Sequence, residues 1–440
     1  MSQSLAKDFN FRSLLKFAFP SIIMMIFMSL YSIVDGFFIA QYVDSMALSA
    51  ANIVYPAVSI LLAVGIMFGT GGSAVVAAKI GQGKLEEANR NFSALTLTTL
   101  IIGILGAALG NLFCRQICSL LGATPVLMDY GIAYLRTILS FAPVCLLQAL
   151  FQSFFVTAGR PGLGLTNMIL DYLFVVPLHL GVAGAALATG LGQCIPSVAG
   201  ILYFTFARKG LRFTRPEFSK GLLSTSCFNG SSEMVSNLSA AVVTYLFNML
   251  MLKFEGEIGV AAITAILYGQ FLFVALYLGY SIGVAPVFSF NYGSRNKQRL
   301  IRLYRISIRF VVVSSVIIAL VAAFGSPVIS AVFMQKGTYG FELTRHGGYL
   351  FSIAYLFCGT NIVASGIFTA LSDGKTSALI SFLRTFVFIV LSALLLPLVL
   401  GTNGVWLSIP VAEFLTLFIS VPKLSRYFRD PKVAPQTKTN

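Results

Sequence analysis

Long runs of apolar residues, separated by short clusters of charged residues and by Gly, Pro and Asn turns, recur from one end of the chain to the other. Splitting at those clusters predicts helical spans near 14–43, 50–78, 92–114, 129–157, 163–181 and 183–207 in the first half. The second half gives 222–252, 259–289, 306–334, 347–371, 377–399 and 402–423. A bilayer's hydrocarbon core takes about 20 apolar residues of helix, and only helices or closed barrels satisfy their backbone groups inside it. The pattern therefore predicts an all-α polytopic membrane protein with twelve spans, several long enough to tilt, bend or protrude. The first span is too long for a signal-peptide core and no small-residue cleavage site follows it, so it is expected to be kept.

Two halves of equal plan are visible. GTGGSAVVAAKIGQGKLEEANR near the end of the second span is echoed by GYSIGVAPVFSFNYGSRNKQRLIR at the end of the eighth, with Gly69 and Gly83 lying 210 residues before Gly279 and Gly293. GVAG at Gly181 is likewise echoed by GTNG at Gly401. Six-span halves in the same orientation form the parallel repeat of some secondary transporters, whose substrate sites lie between bundles. The expected division is an N-terminal six-helix bundle over 1–210 and a C-terminal one over 211–440, joined by the basic loop 208–220. No appended soluble domain is visible.

Composition agrees. The chain of 440 residues is 57% hydrophobic and 10% charged, against roughly a quarter charged for soluble domains. The net charge of +15 would suggest nucleic acid in a soluble protein. Here 25 of the 30 Lys and Arg residues fall on one side of the predicted topology, which reports orientation rather than a nucleic-acid surface. Arg115, Arg136, Lys253, Lys336 and Arg345 occupy the other side. Both termini are then cytoplasmic in a cell inner membrane, with membrane lipids as neighbours. The runs Arg208–Arg215 and Arg295–Arg305 orient the chain or meet anionic headgroups. Six scattered cysteines and two isolated histidines, His179 and His346, form neither a disulfide framework nor a metal site; Cys114 and Cys118 read as semi-buried thiols.

Four acids fall well inside predicted spans: Asp35, Asp171, Glu233 and Glu413. An ionised carboxylate there costs several kcal/mol, and apart from Arg136 in the fourth span no interior basic partner is evident. Asp35 lies ~12 Å and Asp171 ~15 Å below the same surface, at about 1.5 Å per residue. Two carboxyls at similar depth in one bundle can share a proton-binding site. Tyr31 and Asn167 stand one turn before these acids and can complete the hydrogen bonding. The alternative is a satisfied polar cluster that fixes helix rotation. For Glu233, within GSSEMVSN, a structural carboxyl in a small-residue helix contact competes with a second cation or substrate site. Glu413 has no partner to name. Met24, Met25 and Met28 would suit a compliant pocket for apolar cations, and Pro20 can bend the first span. No phosphate-binding loop, HExxH or GxSxG turn is present, so neither an enzyme nor an ATP-driven pump is expected.

SIVDGFFIAQYVDSMALSAANIVYP with Pro20, the GQGKLEEANR loop, GRPGLGLTNMILD, GVAGAALATGLGQ, GSSEMVSN and FNYG together resemble the multidrug and toxic compound extrusion family, above all its prokaryotic branches. The resemblance implies two bundles around a central cavity, no cofactor, and a monomer that exports small cationic or amphiphilic drugs in exchange for protons or sodium ions. It also implies that Asp35, Asn167, Asp171 and Thr189 form the polar cluster of the first bundle with Tyr31 beside it, and that Glu233 is the cation-binding acid of the seventh span. Two departures stand out. The tenth span lacks the acid of the sodium-binding branch, Asn361 being the nearest polar residue, and the stretch from Arg160 to Asp171 is several residues short. The rival function is a flippase for lipid-linked saccharides, whose cavity should carry several cations to meet phosphate.

Overall fold

The computed structural model describes residues 8–42, 45–121, 125–159, 181–208, 210–219 and 221–429; for 31–42, 45–53, 55–56, 125–127, 181–189, 241 and 257 it describes the backbone alone. The described residues are almost entirely helical. In the first half they form α1 (Phe11–Tyr42), α2 (Ser45–Gly81), α3 (Leu85–Leu112), the short α4 (Cys114–Leu120), α5 (Pro125–Ser140), α6 (Ala142–Thr157) and α7 (Gly181–Phe206). The second half has α8 (Leu222–Gly256) and α9 (Ile258–Gly293), continuous but for Gly256, then α10 (Lys297–Phe333), α11 (Tyr339–Ser352) and α12 (Tyr355–Ala370). It ends with α13 (Gly374–Phe382), a π turn (Leu383–Val387), α14 (Phe388–Leu400) and α15 (Thr402–Arg429).

Eight of these helices are long and apolar enough to cross a membrane, and ten if each bent pair counts as one span. The pairs are α5 with α6 and α11 with α12, each bent by 52°, and they are the fourth and tenth spans, at matching places in the two halves. Eleven of the twelve expected spans thus have a described helix; the twelfth, 163–181, lies almost wholly outside the described residues.

Hydrogen bonds fix the repeat more finely than matching letters do. At the end of α2, Gln82, Gly83 and Lys84 donate to Ala78, Ile80 and Lys79; at the end of α9, Ser294, Arg295 and Asn296 donate to Phe290, Tyr292 and Asn291. The equivalence therefore runs over 212 residues, not 210. Gly83 (φ 78°) corresponds to Arg295 (φ 56°), a left-handed position that glycine adopts freely and arginine does not. Asn296 compensates by capping α10, its side chain accepting from the Arg299 amide at 3.1 Å. The turn after α6 (Gly159, φ 69°) likewise matches that after α12 (Ser372, φ 60°). From there Gly181 follows after 22 residues and Gly401 after 29, so the first half is seven residues shorter here.

The halves press together at the end that carries the basic loops. A β-carbon added at Gly81 would stand 2.0 Å from the Phe290 carbonyl oxygen, and one at Gly293 2.0 Å from that of Ala78. Each glycine Cα thus lies directly on the other helix's backbone, so α2 and α9 cross about a near two-fold axis. Gly71 meets Ser226 and Gly230 of α8 in the same way, and Gly283 meets Ala18 of α1. The core continues behind these crossings through Phe92, Phe154, Phe288 and Phe368, all at most 2% exposed.

The connection between halves is fastened to α3. Arg212 and Thr214 donate their amides to Asn89 Oδ1 (3.1 Å) and Ser93 Oγ (2.9 Å), Ser219 Oγ bonds Asn91, and Phe213 stacks on Phe92 at 5.0 Å. Arg90 reaches Glu217 at 2.6 Å. Both Cys114 and Cys118 are buried, free thiols.

Candidate functional site

Two sites were expected, one in each bundle. In the first, α1 runs unbroken through Pro20 to Tyr42, and positions 24, 28, 31 and 35 recur at helical spacing on one face. That face is turned toward α6, because the Gln152 side-chain nitrogen lies 3.6 Å from the sulfurs of Met24 and Met28 and 3.9 Å from that of Met25. The methionine cluster is therefore assembled, with Tyr31 and Asp35 next along the same register. Of Tyr31, Asp35 and Thr189 the structure describes the backbone only, and Asn167 and Asp171 lie outside the described residues. The proposed pairing of Asp35 with Asp171 rests on sequence.

The second bundle corrects the expectation that Glu413 has no partner and that Arg136 is the one basic residue inside a span. Arg384, three turns into the eleventh span and carried by the π turn, places Nη1 3.4 Å from Glu413 Oε1, with 14% and 6% of the two side chains exposed. Asn361 donates to both the carbonyl and Oε2 of Glu413, at 2.8 and 2.7 Å, and accepts from Ser420 at 2.6 Å. The two amide protons and the amide oxygen are thus engaged, which leaves Asn361 as the structural partner of Glu413 rather than a vacant ligand. A buried carboxylate is tolerable when paired and hydrogen-bonded in this way. Arg384 escaped the sequence reading because it was counted with the basic residues of the adjoining loop. The signal was there: ISFLRTFVFIV continues apolar on both sides of it, so the guanidinium could not reach that loop without crossing its own span.

Glu233 is half-buried on α8, one turn beyond the Gly230 contact with Met67. It therefore stands on the far side of the contact that closes the basic end.

Comparison with known proteins now decides the family. The MatE family model matches residues 20–181 and again 234–394, one match to each half. The chain belongs to the MatE family. It is a multi-pass membrane transporter and not an enzyme. Among its relatives, the multidrug export protein MepA of Staphylococcus haemolyticus (strain JCSC1435) is 24% identical over 438 residues, covering 93% of this chain and 92% of the relative. MepA of Staphylococcus aureus (strain MRSA252) is 23% identical over 429 residues, covering 92% and 91%. Among solved structures, an outward-facing multidrug resistance MATE family transporter of the MOP superfamily superposes with a TM-score of 0.90 at 20% identity, over 97% of each chain. A MOP superfamily transporter from Pyrococcus furiosus, described as having a binding pocket of reverse polarity, superposes at 0.87 with 20% identity, over 97% and 98%. The MatE fold, twelve helices in two six-helix bundles, is therefore that of this chain.

Proposed function

We propose that this MatE protein is a secondary active multidrug exporter of cationic or amphiphilic compounds, driven by inward flow of protons or sodium ions across the cell inner membrane. The observation that carries the reading is the placement of acids relative to the closed end. Glu233 stands just beyond the Gly71–Gly230 contact, and Asp35 follows the methionine cluster along α1 in the same helical register. First-bundle spans that carry acids and no arginine cluster suit cations rather than phosphates, which favours drug export over the flippase alternative. The curated relatives, being multidrug export proteins, point the same way. Cytoplasmic termini follow from the one-sided distribution of 25 of the 30 basic residues.

The test is transport of a cationic dye by purified protein in liposomes, with proton and sodium gradients imposed separately. Efflux under one of them is expected, and Asp35→Asn or Asp171→Asn should each abolish it while insertion persists. The double variant should be little worse than either single one, as for residues acting as a unit. Export of an anionic lipid precursor with no dye efflux would refute the proposal, and two single variants at wild-type rates would remove Asp35 and Asp171 from it.

A further inference from the structure

One face of α10 changes character part-way along its length. Arg302, Arg305 and Arg309 are exposed and recur at intervals of three and four residues, so they share one face of the helix. The same register continues through Val313, Val316, Leu320 and Phe324, which are 48% to 81% exposed. The opposite face is buried, with α10 packed on α11 and α12 of its own half. In a chain that spans a membrane, the bare apolar stripe lies against lipid tails. Arg309 stands 24 residues before Phe333, the last residue of α10, which is ~36 Å of helix against ~30 Å of hydrocarbon. With Phe333 at one surface, Arg309 falls at the headgroups of the other, and Arg305 and Arg302 follow ~6 and ~10 Å beyond it.

The repeat shows that packing does not require these charges. Over the 212-residue equivalence, Arg302, Arg305 and Arg309 match Arg90, Ser93 and Leu97 of α3. Arg90 and Arg302 behave alike, each pairing with an acid that precedes the first helix of the other half: Arg90 with Glu217 at 2.6 Å, Arg302 with Asp8 at 3.5 Å. The next two positions differ. Ser93 is buried and accepts the Thr214 amide of the connection between halves, and Leu97 is apolar, whereas α10 carries arginine at both. Among the described residues no acid pairs with Arg305 or Arg309. Asp8 also reaches Arg299 at 3.6 Å, so this surface already receives one anion beside them.

We propose that Arg305 and Arg309 form a headgroup site for an anionic phospholipid, in the leaflet at the end that carries the basic loops, with its acyl chains laid along Val313, Val316 and Leu320. Guanidinium groups bind phosphate oxygens in pairs, and two of them on successive turns of one face can bracket a single phosphodiester. Cations at a membrane surface attract anionic lipid in the same way. A zwitterionic lipid offers the same tails, but its own cation opposes the guanidiniums; a soluble phosphate offers the anion without tails. The site selects a molecule that has both. It lies at the seam between halves, because Phe11 of α1 meets Phe310, the neighbour of Arg309, with ring centroids 6.5 Å apart.

Native mass spectrometry of the purified full chain, titrated with dioleoyl phosphatidylglycerol or dioleoyl phosphatidylcholine and read at the first bound lipid, tests it. The wild type should bind phosphatidylglycerol about tenfold more tightly than phosphatidylcholine. Arg305→Gln/Arg309→Gln should weaken phosphatidylglycerol binding about tenfold, each cation at a membrane surface contributing roughly fivefold, and should leave phosphatidylcholine binding unchanged. Arg208→Gln/Arg215→Gln removes the same charge from exposed positions near the connection between halves and should keep binding within about twofold of wild type. An equal loss in that control would make the effect one of net charge and overturn the proposal, as would an unchanged Kd in a folded Arg305→Gln/Arg309→Gln protein. Displacement of the lipid by glycerol phosphate, which has the headgroup and no tails, would give the site to a soluble phosphate and overturn it too. If the double variant does not fold, Arg309→Gln alone carries the test: about threefold weaker binding is expected, and no change refutes the site.

Discussion

The crossing of α2 with α9 gives the most direct handle on how the halves open. An alanine at Gly81 puts a methyl carbon 2.0 Å from the Phe290 carbonyl oxygen, and ordinary contact begins at 3.4 Å. The two helices must therefore separate by roughly 1.4 Å, and the obstacle is backbone, which cannot rotate away. Overpacking of this kind costs about 1–3 kcal/mol. The cost falls only on the conformer closed at the basic end, so the closed-to-open ratio should drop by roughly 5- to 150-fold. Gly293→Ala should do the same, and the pair should act less than additively, since one separation relieves both clashes. Spin labels on cysteines at positions 84 and 297, in a background lacking the six native cysteines, would report the distance between the halves. Gly325→Ala is the control: it meets nothing within 4 Å and, inside a helix, should be neutral or stabilising by up to ~1 kcal/mol. Unchanged distance distributions in Gly81→Ala and Gly293→Ala, with the proteins folded, would refute the assignment of this crossing as the seal.

Two further outcomes are expected. Glu217→Gln should leave the unfolding temperature nearly unchanged, because the Arg90 pair is exposed, whereas Phe213→Ala, which removes a ring stacked on Phe92, should cost ~3 kcal/mol or more; thermal unfolding in detergent separates the two. Arg295→Gly should raise the unfolding temperature, since a side chain in the left-handed region costs roughly 1–2 kcal/mol, and a fall would mean that Arg295 makes a contact outweighing its strain.

Spans and the existence of a repeat were legible because hydropathy and turn chemistry act locally and leave their mark in consecutive residues. The register of the repeat was not. Matching Gly83 with Gly293 aligned like letters, but the turn that ends α9 places Arg295 where the first half uses glycine, and only hydrogen bonds reveal the equivalence. The Glu413 site was half legible. A buried acid is visible in sequence, but its partners come from two other segments, at Asn361 and Arg384, and nothing in their spacing announces that they converge. For Asp35 and Asp171 the sequence argument from depth and lack of counter-charge is what supports the pairing, together with the register that carries Asp35 beyond the methionine cluster.

The near two-fold crossing at Gly81 and Gly293 has the form of an isologous contact, the same patch on both partners, as in a symmetric homodimer. In a true dimer every substitution there would be felt twice, once from each side. In a single chain the two copies of the patch are independent stretches of sequence, and each change is felt once. That halving of the constraint allows arginine at position 295 where the first half has glycine at 83. It also lets the two bundles take up different chemistry, a methionine cluster around Gln152 in one and a buried arginine–glutamate pair in the other, while the crossing between them stays near-symmetric.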